Sequence, residues 1–328
     1  MKRIATRSFI AAALVLALLE GSMRLFMTDI FVGRFEYGYH PDAGFFAQND
    51  GTMELRRTGG RRFWQQRFPI AKPPGALRVI TVGDSISRGA SLEEAYPFLL
   101  GRELSRPART VESINLSVPG YGARRKQMLL EKALSFSPDL IILHVGTSNE
   151  FEDERDWRRY QEFASGHPRN WLMKSYLLRR LYEVRSEQLF QKLLPAQIRA
   201  QTQLSDAEDE AHAGQSQARQ REWRERFEQV SAESLALAAS RKVPVILVPR
   251  AVWTRGEDGR ITLDEGSAGA WCDRQAGPGV RVLHPAQALG DSPDASQFSG
   301  DRVHLKPSAH LLLAKTLAAM IGPTATKQ

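Results

Sequence analysis

Short apolar segments rich in β-branched residues recur along the chain, each followed by a turn and then by a helical pattern. Five segments of this kind are predicted strands: 77–82, 110–114, 139–145, 243–248 and 280–283. Helical patterns lie between or after them, at 96–104, 123–136 and 308–321. Nearly uninterrupted apolar strands are typical of a parallel sheet buried on both faces. The alternation therefore predicts an α/β fold, a three-layer α/β/α sandwich around a parallel sheet.

The amino terminus carries the pattern of an export signal. Three basic side chains precede an apolar segment at 9–19: Lys2, Arg3 and Arg7. No A-x-A-like cleavage site follows, and apolar residues resume as far as Phe31. These features favour an uncleaved signal-anchor, a transmembrane helix within 1–33, over a cleaved signal peptide or a buried helix of a soluble protein. Glu20 is unfavourable in such a helix unless it lies near the outer interface.

The charge distribution around this helix also predicts its orientation. The basic end of a signal-anchor stays in the cytoplasm, and the chain that follows is exported. No cysteine follows the apolar segment, which excludes a bacterial lipoprotein anchor. We therefore expect a single-pass protein of the cell inner membrane, with its main domain on the periplasmic, extracytoplasmic side.

Three further regions follow the predicted anchor. Residues 34–76 are rich in aromatic side chains and are expected to form a leader that packs on the main domain. The main domain is expected over 77–328. Within it, a charged and glutamine-rich helical insertion is predicted at about 151–218. Such charged stretches usually form a solvated face, and a lid or partner surface is the alternative.

The composition restricts the partners and cofactors of the chain. Its net charge is +8, but the arginines are scattered and no helix-turn-helix, zinc-finger or RNA-binding signature is present. Nucleic acid is therefore not an expected partner, and the charge is that of a solvated basic surface or of a surface for an acidic partner. Cys272 is the single cysteine, which excludes an intramolecular disulfide and a cysteine-based zinc site.

Polar and glycine-rich turns follow the predicted strands. Ser85 lies in a glycine-flanked turn after the first strand, Gly120 follows the second, and Asn149 follows the third. Asp301 and His304 precede the closing helix. Each feature alone is common, because Gly-Asp-Ser occurs in ordinary turns and an asparagine often caps a helix. Ligands of open parallel sheets bind beyond the carboxyl ends of the strands, so together these residues predict one site.

This conjunction resembles the SGNH, or GDSL-type, hydrolase family. The four residues of the family's name are matched in order by Ser85, Gly120, Asn149 and His304. The resemblance covers about 77–321, without the insertion. The sequence departs from many members at two positions, where Glu150 replaces an aspartate and Ser87 replaces a threonine. The resemblance implies the family's flavodoxin-like parallel sheet.

The resemblance also implies roles for five residues. Ser85 attacks the acyl carbonyl, and His304 acts first as general base and then as general acid. Asp301 orients His304. The backbone N–H groups of Ser85 and Gly120, with the side chain of Asn149, form the oxyanion hole. No metal and no organic cofactor are implied.

The function expected from this site is that of a membrane-anchored serine esterase. It would hydrolyse acyl esters, such as O-acetyl esters, of an envelope glycan or lipid. One alternative is an O-acyltransferase that modifies cell-envelope polysaccharide, because water and a sugar hydroxyl can both accept an acyl group from a serine. A second alternative is a catalytically silent binding protein with the same fold. Asp84 is expected to be structural, through hydrogen bonds within its turn.

Overall fold

The computed structural model describes residues 2–26, 38–56, 61–107, 110–165, 175–178, 217–290, 293–301 and 303–322. The chain divides into two compact units. The smaller comprises 1–43, 58–60 and 156–216, and the larger comprises 44–57, 61–155 and 217–328. Most of the predicted insertion at 151–218 lies outside the described residues, as do residues 27–33 of the predicted anchor. The predicted domain limits stay a prediction.

The strands and helices are numbered here in chain order. The strands are β1 (Phe45–Ala47), β2 (Thr52–Leu55), β3 (Gln66–Pro69), β4 (Leu77–Val82), β5 (Val111–Asn115), β6 (Leu140–Val145), β7 (Val245–Pro249), β8 (Val252–Arg255), β9 (Ile261–Asp264) and β10 (Val280–Val282). The helices are α1 (Lys2–Phe26), α2 (Ser85–Arg88), α3 (Tyr96–Leu104), α4 (Ala123–Leu134), α5 (Glu150–Ala164), α6 (Gln217–Ser240), α7 (Gly266–Gln275), α8 (Pro285–Leu289) and α9 (Pro307–Ile321). A 3-10 turn covers Ala295–Gln297.

The five predicted strands are confirmed, and they form one parallel sheet in the larger unit. Their spatial order is β10, β7, β6, β4, β5. Ile80 of β4 lies opposite Ile114 of β5 on one side and Ile141 of β6 on the other. The strand that follows β4 in the chain, β5, lies on one side of β4, and the next strand, β6, lies on the other side. A switch of this kind opens a crevice between the carboxyl ends of β4 and β6, where such sheets bind ligands.

Successive residues of the strands face two separate cores. Ile80 and Leu143 belong to the core that contains side chains of α4 and α6. Val79 and Ile142 belong to the core that contains side chains of α3 and α9. Full burial of one such side chain contributes about 1.5–3 kcal/mol, so both helix layers hold the sheet. The prediction of a three-layer α/β/α sandwich is confirmed.

A small antiparallel sheet precedes the parallel one and was not predicted. It has the order β1, β2, β3, and its buried side chains join the same core as Ile80. The buried Arg78 of β4 fastens it to the main sheet. The guanidinium donates to the carbonyl oxygens of Pro69 at 2.8 Å and Phe136 at 2.6 Å, and it pairs with Glu112 at 2.7 Å. A buried arginine needs such partners, since an unpaired buried charge is strongly destabilising.

Helix α1 lies in the smaller unit, and its stretch from Phe9 to Leu19 is apolar on all sides. Its segment Thr6–Leu25 is long and apolar enough to cross a membrane, by length and composition. None of that segment is buried by the protein: Phe9 is 75 % exposed and Leu18 is 70 % exposed. An apolar helix with this exposure at the amino terminus suits a membrane anchor or a signal sequence.

Two buried histidines flank the ring of Tyr96 in the core on the α9 side. The Tyr96 hydroxyl lies 3.3 Å from His144 Nδ1, and the Tyr96 backbone N–H donates to His310 Nδ1 at 3.3 Å. Burial lowers the pKa of each imidazole from 6.5 to about 4. Both histidines are therefore neutral in the folded protein at neutral pH, and neither is exposed to a substrate.

We expect the folded state to lose stability as the pH falls from 7 to 5. Between pH 6.5 and 4 the unfolded chain protonates these histidines while the folded chain does not, so lowering the pH favours unfolding. The loss should be about 2 kcal/mol for each histidine. His144→Leu should lose correspondingly less over the same interval. Urea unfolding of the full chain in detergent, at pH 7 and pH 5, measures this loss. A free energy of unfolding that is equal at the two pH values, or an equal loss in His144→Leu and the unsubstituted chain, would contradict the assignment.

Candidate active site

A tight turn at the end of β4 presents Ser85. Asp84 caps the short helix α2 by accepting a hydrogen bond from the backbone N–H of Ile86 at 3.0 Å, which makes Ser85 the first helical residue. Gly83 allows this turn to pack tightly. A Cβ at Gly83 would lie 2.0 Å from Ser87 Oγ and 2.8 Å from His144 Cβ, so any other residue would displace the turn.

Ser85, His304 and Asp301 form one hydrogen-bonded series. Ser85 Oγ lies 2.8 Å from His304 Nε2, and His304 Nδ1 bonds to Asp301 Oδ2. Asp301 Oδ1 accepts from Ser299 Oγ at 2.5 Å and from the backbone N–H groups of Val303 and His304 at 3.0 and 2.9 Å. Partial burial alone would raise the pKa of Asp301, but these donors hold it well below its usual value. The carboxylate therefore stays ionised beside the imidazole.

A short closed loop carries both Asp301 and His304. Phe298 and Leu305 pair as an antiparallel bridge at its base, and the Ser299 N–H donates to the His304 carbonyl at 2.9 Å. The hairpin of β8 and β9 supports the loop, because Trp253 packs on Phe298 with ring centroids 5.4 Å apart. This hairpin was not predicted, although it stabilises the loop that brings His304 to Ser85.

The loop that carries Gly120 is fixed by two carboxylates of α5. Gly120 has φ of +74°, a conformation that favours glycine. Glu150 accepts from the backbone N–H of Ala123 at 2.7 Å, and Asp153 accepts from that of Arg124 at 3.2 Å. These bonds cap the start of α4 immediately after the Gly120 loop. The sequence departs from many members of the resembled family at Glu150. In this structure the Glu150 carboxylate caps the start of α4.

Asn149 lies between two groups of opposite charge. Its Nδ2 donates to Asp84 Oδ2 at 3.3 Å and to the Tyr121 carbonyl at 3.4 Å. Its Oδ1 accepts from Arg250 Nη1 at 3.3 Å. The structure therefore brings Asn149 to the turn that carries Ser85, as the sequence predicts.

Asp84 is fully buried and contacts the turn of Ser85, the side chain of Asn149 and helix α4. Besides the Ile86 N–H and Asn149, it accepts from Lys126 Nζ at 3.1 Å. Burial alone would raise the pKa of Asp84, but the charges of Lys126 and Arg250 and the hydrogen bond from the Ile86 N–H hold it well below its usual value. Asp84 is thus a buried carboxylate anion that joins the ends of β4 and β6 to α4.

Sequence reasoning missed Lys126 and Arg250. Lys126 precedes the buried Leu129 and Leu130 by three and four positions, a spacing that places it on the buried face of α4. Arg250 directly follows β7, so the rule that ligands bind beyond strand ends pointed to it as well.

The arrangement has the parts needed for acyl transfer to a serine. His304 Nε2 is placed to accept the Ser85 proton. In the described part of the chain, the backbone N–H groups of Ser85 and Gly120 donate to no protein acceptor, so both are available to a ligand. No group of three or more His, Cys, Asp or Glu side chains that could hold a metal ion occurs among the residues described.

A family model described as "GDSL-like Lipase/Acylhydrolase family" matches residues 81–311, well over half of the chain. No curated protein matches the sequence.

Several solved structures resemble the chain at low identity. An acetyl xylan esterase, AlAXEase, is 14% identical, with 75% of this chain and 100% of that chain covered and a TM-score of 0.44. A catalytic mutant of Axe2, an acetylxylan esterase from Geobacillus stearothermophilus, is 14% identical, with 77% and 98% covered and a TM-score of 0.44. The psychrotrophic esterase EstA from Pseudoalteromonas sp. is 10% identical, with 73% and 92% covered and a TM-score of 0.40. Similarities at this level identify no substrate.

The packing at Gly83 generates a test with a matched control. Gly83→Ala should lower the free energy of unfolding by about 1–3 kcal/mol, because its Cβ overlaps Ser87 and His144. It should also slow the labelling of Ser85 by a fluorophosphonate. Gly277→Ala should change neither quantity, because its Cβ would meet nothing within 4 Å. Urea unfolding and the labelling rate measure both, and equal effects of the two substitutions would refute the packing argument.

Proposed function

The chain belongs to the GDSL-like lipase/acylhydrolase family of ester-hydrolysing serine hydrolases, and we propose that it is a membrane-anchored esterase with Ser85 as nucleophile. One observation carries the assignment of residues. The His304 imidazole contacts both partners at once: its Nε2 lies 2.8 Å from Ser85 Oγ, and its Nδ1 bonds to Asp301. This is the order of nucleophile, base and orienting acid that activates a serine.

Acylation begins when Ser85 Oγ bonds to the ester carbonyl carbon and its proton passes to His304 Nε2. Asp301 keeps the proton on His304 Nδ1 and stabilises the imidazolium that forms. The tetrahedral intermediate then collapses, its bond to the alcohol oxygen breaks, and His304 returns the proton to that oxygen. Water repeats the sequence on the acyl-enzyme and releases the acid.

Negative charge develops on the carbonyl oxygen in both steps. The backbone N–H groups of Ser85 and Gly120 and the Nδ2 group of Asn149 are its proposed donors. Fixed donors of this kind act without reorganisation, and the loss of one typically raises the barrier by about 2.7–4 kcal/mol. Asp84, buried beneath Asn149, positions that side chain and does not touch the ester.

Exposure and charge at the site favour a short acyl group on a large polar alcohol. The side chains of His304 and Asp301 are 43% and 51% exposed, so a bulky alcohol part can approach them from solvent. Charged groups flank the proposed oxyanion donors: Glu152 reaches the space beside Gly120, and Arg250 contacts Asn149. We therefore propose an O-acetyl ester of an envelope glycan as substrate. The match to a lipase/acylhydrolase family supports water as the acyl acceptor.

The contacts of Glu20 support a retained amino-terminal anchor, with residues 77–328 as an extracytoplasmic hydrolase domain. Its carboxylate accepts from Ser175 Oγ at 2.7 Å and from the backbone N–H groups of Tyr176 and Leu177, each at 2.9 Å. Arg24 pairs with it at 2.8 Å. Cleavage after α1 would remove this carboxylate from three donors of the insertion. The same contacts explain why a carboxylate is tolerated near the outer end of an apolar helix.

We expect the full chain in detergent to hydrolyse p-nitrophenyl acetate faster than p-nitrophenyl decanoate, because the site offers charged rather than apolar walls. Ser85→Ala should abolish both activities. Asn149→Ala should lower kcat by about 100- to 1,000-fold, the cost of one oxyanion donor.

Ser135→Ala is the matched control, because this exposed serine bonds only within its own turn at the end of α4. It should leave the rates unchanged. Activity that persists in Ser85→Ala would refute the nucleophile, and a preference for decanoate would refute the short acyl group. Acetate release from acetylated envelope glycan then tests the natural substrate.

The anchor is tested by extracting membranes with carbonate. We expect the chain to stay in the membrane fraction, and mass spectrometry of that fraction to recover peptides from within α1. Release into the soluble fraction, or loss of all peptides before residue 27, would contradict a retained anchor.

A further inference from the structure

Arg250 lies at the same edge of the sheet as Ser85, although no motif contains it. Its backbone N–H donates to the Val145 carbonyl at 2.7 Å, which fixes it against the end of β6. Its side chain runs along Gly146, where a Cβ would lie 2.8 Å from Arg250 Cβ. Gly146 thus allows the arginine to follow the turn that leads to Asn149.

The contacts on the two ends of the Asn149 carboxamide determine its orientation. A guanidinium only donates, so Arg250 Nη1 must face the amide oxygen. A carboxylate only accepts, so Asp84 must face the amide nitrogen. A rotation by 180° would oppose donor to donor and acceptor to acceptor. Arg250 and Asp84 together therefore determine which end of the Asn149 carboxamide carries the N–H groups, with Nδ2 on the side of the Asp84 carboxylate and the Tyr121 carbonyl.

The direct side-chain contact of the Arg250 guanidinium at this edge is its bond to Asn149. Within the described ranges, Arg250 has no ion pair with a carboxylate, and its buried Nε atom has no hydrogen-bond partner. The guanidinium charge helps to keep Asp84 ionised, and it acts directly on the amide oxygen of Asn149, which it contacts. Polarisation of a hydrogen-bonded group by a neighbouring charge strengthens the bond that its N–H makes.

We propose that Arg250 is a positioning residue, which orients and polarises the Asn149 carboxamide so that Nδ2 faces the developing oxyanion. This inference rests on the proposed function, in which Asn149 is an oxyanion donor. Because the oxyanion exists only during the reaction, the arginine should affect kcat rather than KM. Its effect should also depend on the presence of Asn149.

A double-mutant cycle on the full chain in detergent tests this dependence. With p-nitrophenyl acetate, Arg250→Met should lower kcat by about 10- to 100-fold and change KM by less than about twofold. In an Asn149→Ala background the same substitution should lower kcat by less than about threefold, because the group through which Arg250 acts is absent. Arg250→Lys, which keeps the charge, should retain more activity than Arg250→Met.

A boronic acid that forms a tetrahedral anionic adduct on Ser85 gives a second readout. Its affinity should fall in Arg250→Met by about the same factor as kcat. Arg255→Met is the matched control, because this exposed arginine of β8 bonds to the Gly259 carbonyl within its own hairpin. It should leave kcat and boronate affinity unchanged.

The possible outcomes separate the two proposals. An equal loss in both backgrounds, or an unchanged kcat in Arg250→Met, overturns the role of Arg250 and leaves Ser85 untouched. Activity that persists in Ser85→Ala overturns the function itself. If Arg250→Met unfolds at a markedly lower urea concentration, the cycle is run with Arg250→Lys, and the same criterion of dependence on Asn149 decides.

Discussion

A single buried carboxylate, that of Asp84, joins the parts of the site that different strands supply. Because no water reaches it, its charge must be satisfied by the protein, and the ion pair with Lys126 does this. The same carboxylate caps the helix that begins at Ser85 and accepts from Asn149. The ends of β4 and β6 are thus held to one anion, on either side of the switch point of the sheet. A site built on such a contact is preorganised before substrate arrives.

Much of this architecture could be predicted because burial leaves a clear sequence pattern. A strand covered on both faces must be apolar throughout, and β4, β6 and β7 follow this rule and were located within about two residues. Ser85, Gly120 and Asn149 were predicted because parallel strands place their carboxyl ends at one edge. Asp301 and His304, which precede the closing helix, were predicted from the resemblance to the SGNH family. The structure places Ser85, His304 and Asp301 in hydrogen-bonding contact and Asn149 beside Asp84. Gly120 adopts the positive φ that explains a glycine there.

The remaining features depend on contacts that local sequence does not encode. Strands β1 to β3 have only three or four residues each, too few for an alternating pattern to be distinguished from a loop. Arg78 and Lys126 lie at positions with a buried pattern, but the carboxylates that pair with them, Glu112 and Asp84, belong to distant segments. Arg250 has no motif, and its relation to Asn149 arises only when β7 lies beside β6. In each case a pairing between distant segments decides what an ordinary polar residue does.

The closed loop that carries Asp301 and His304 has a consequence for the order in which the chain matures. The acid and the base are three residues apart, so their bond can form as soon as the loop closes. The base and Ser85 are 219 residues apart, so their contact exists only after α9 has packed against the sheet. A chain that has not yet folded therefore carries its histidine and its serine as separate, inert groups. Esterase activity then reports a folded chain, because the contact that activates the nucleophile exists only in the tertiary structure.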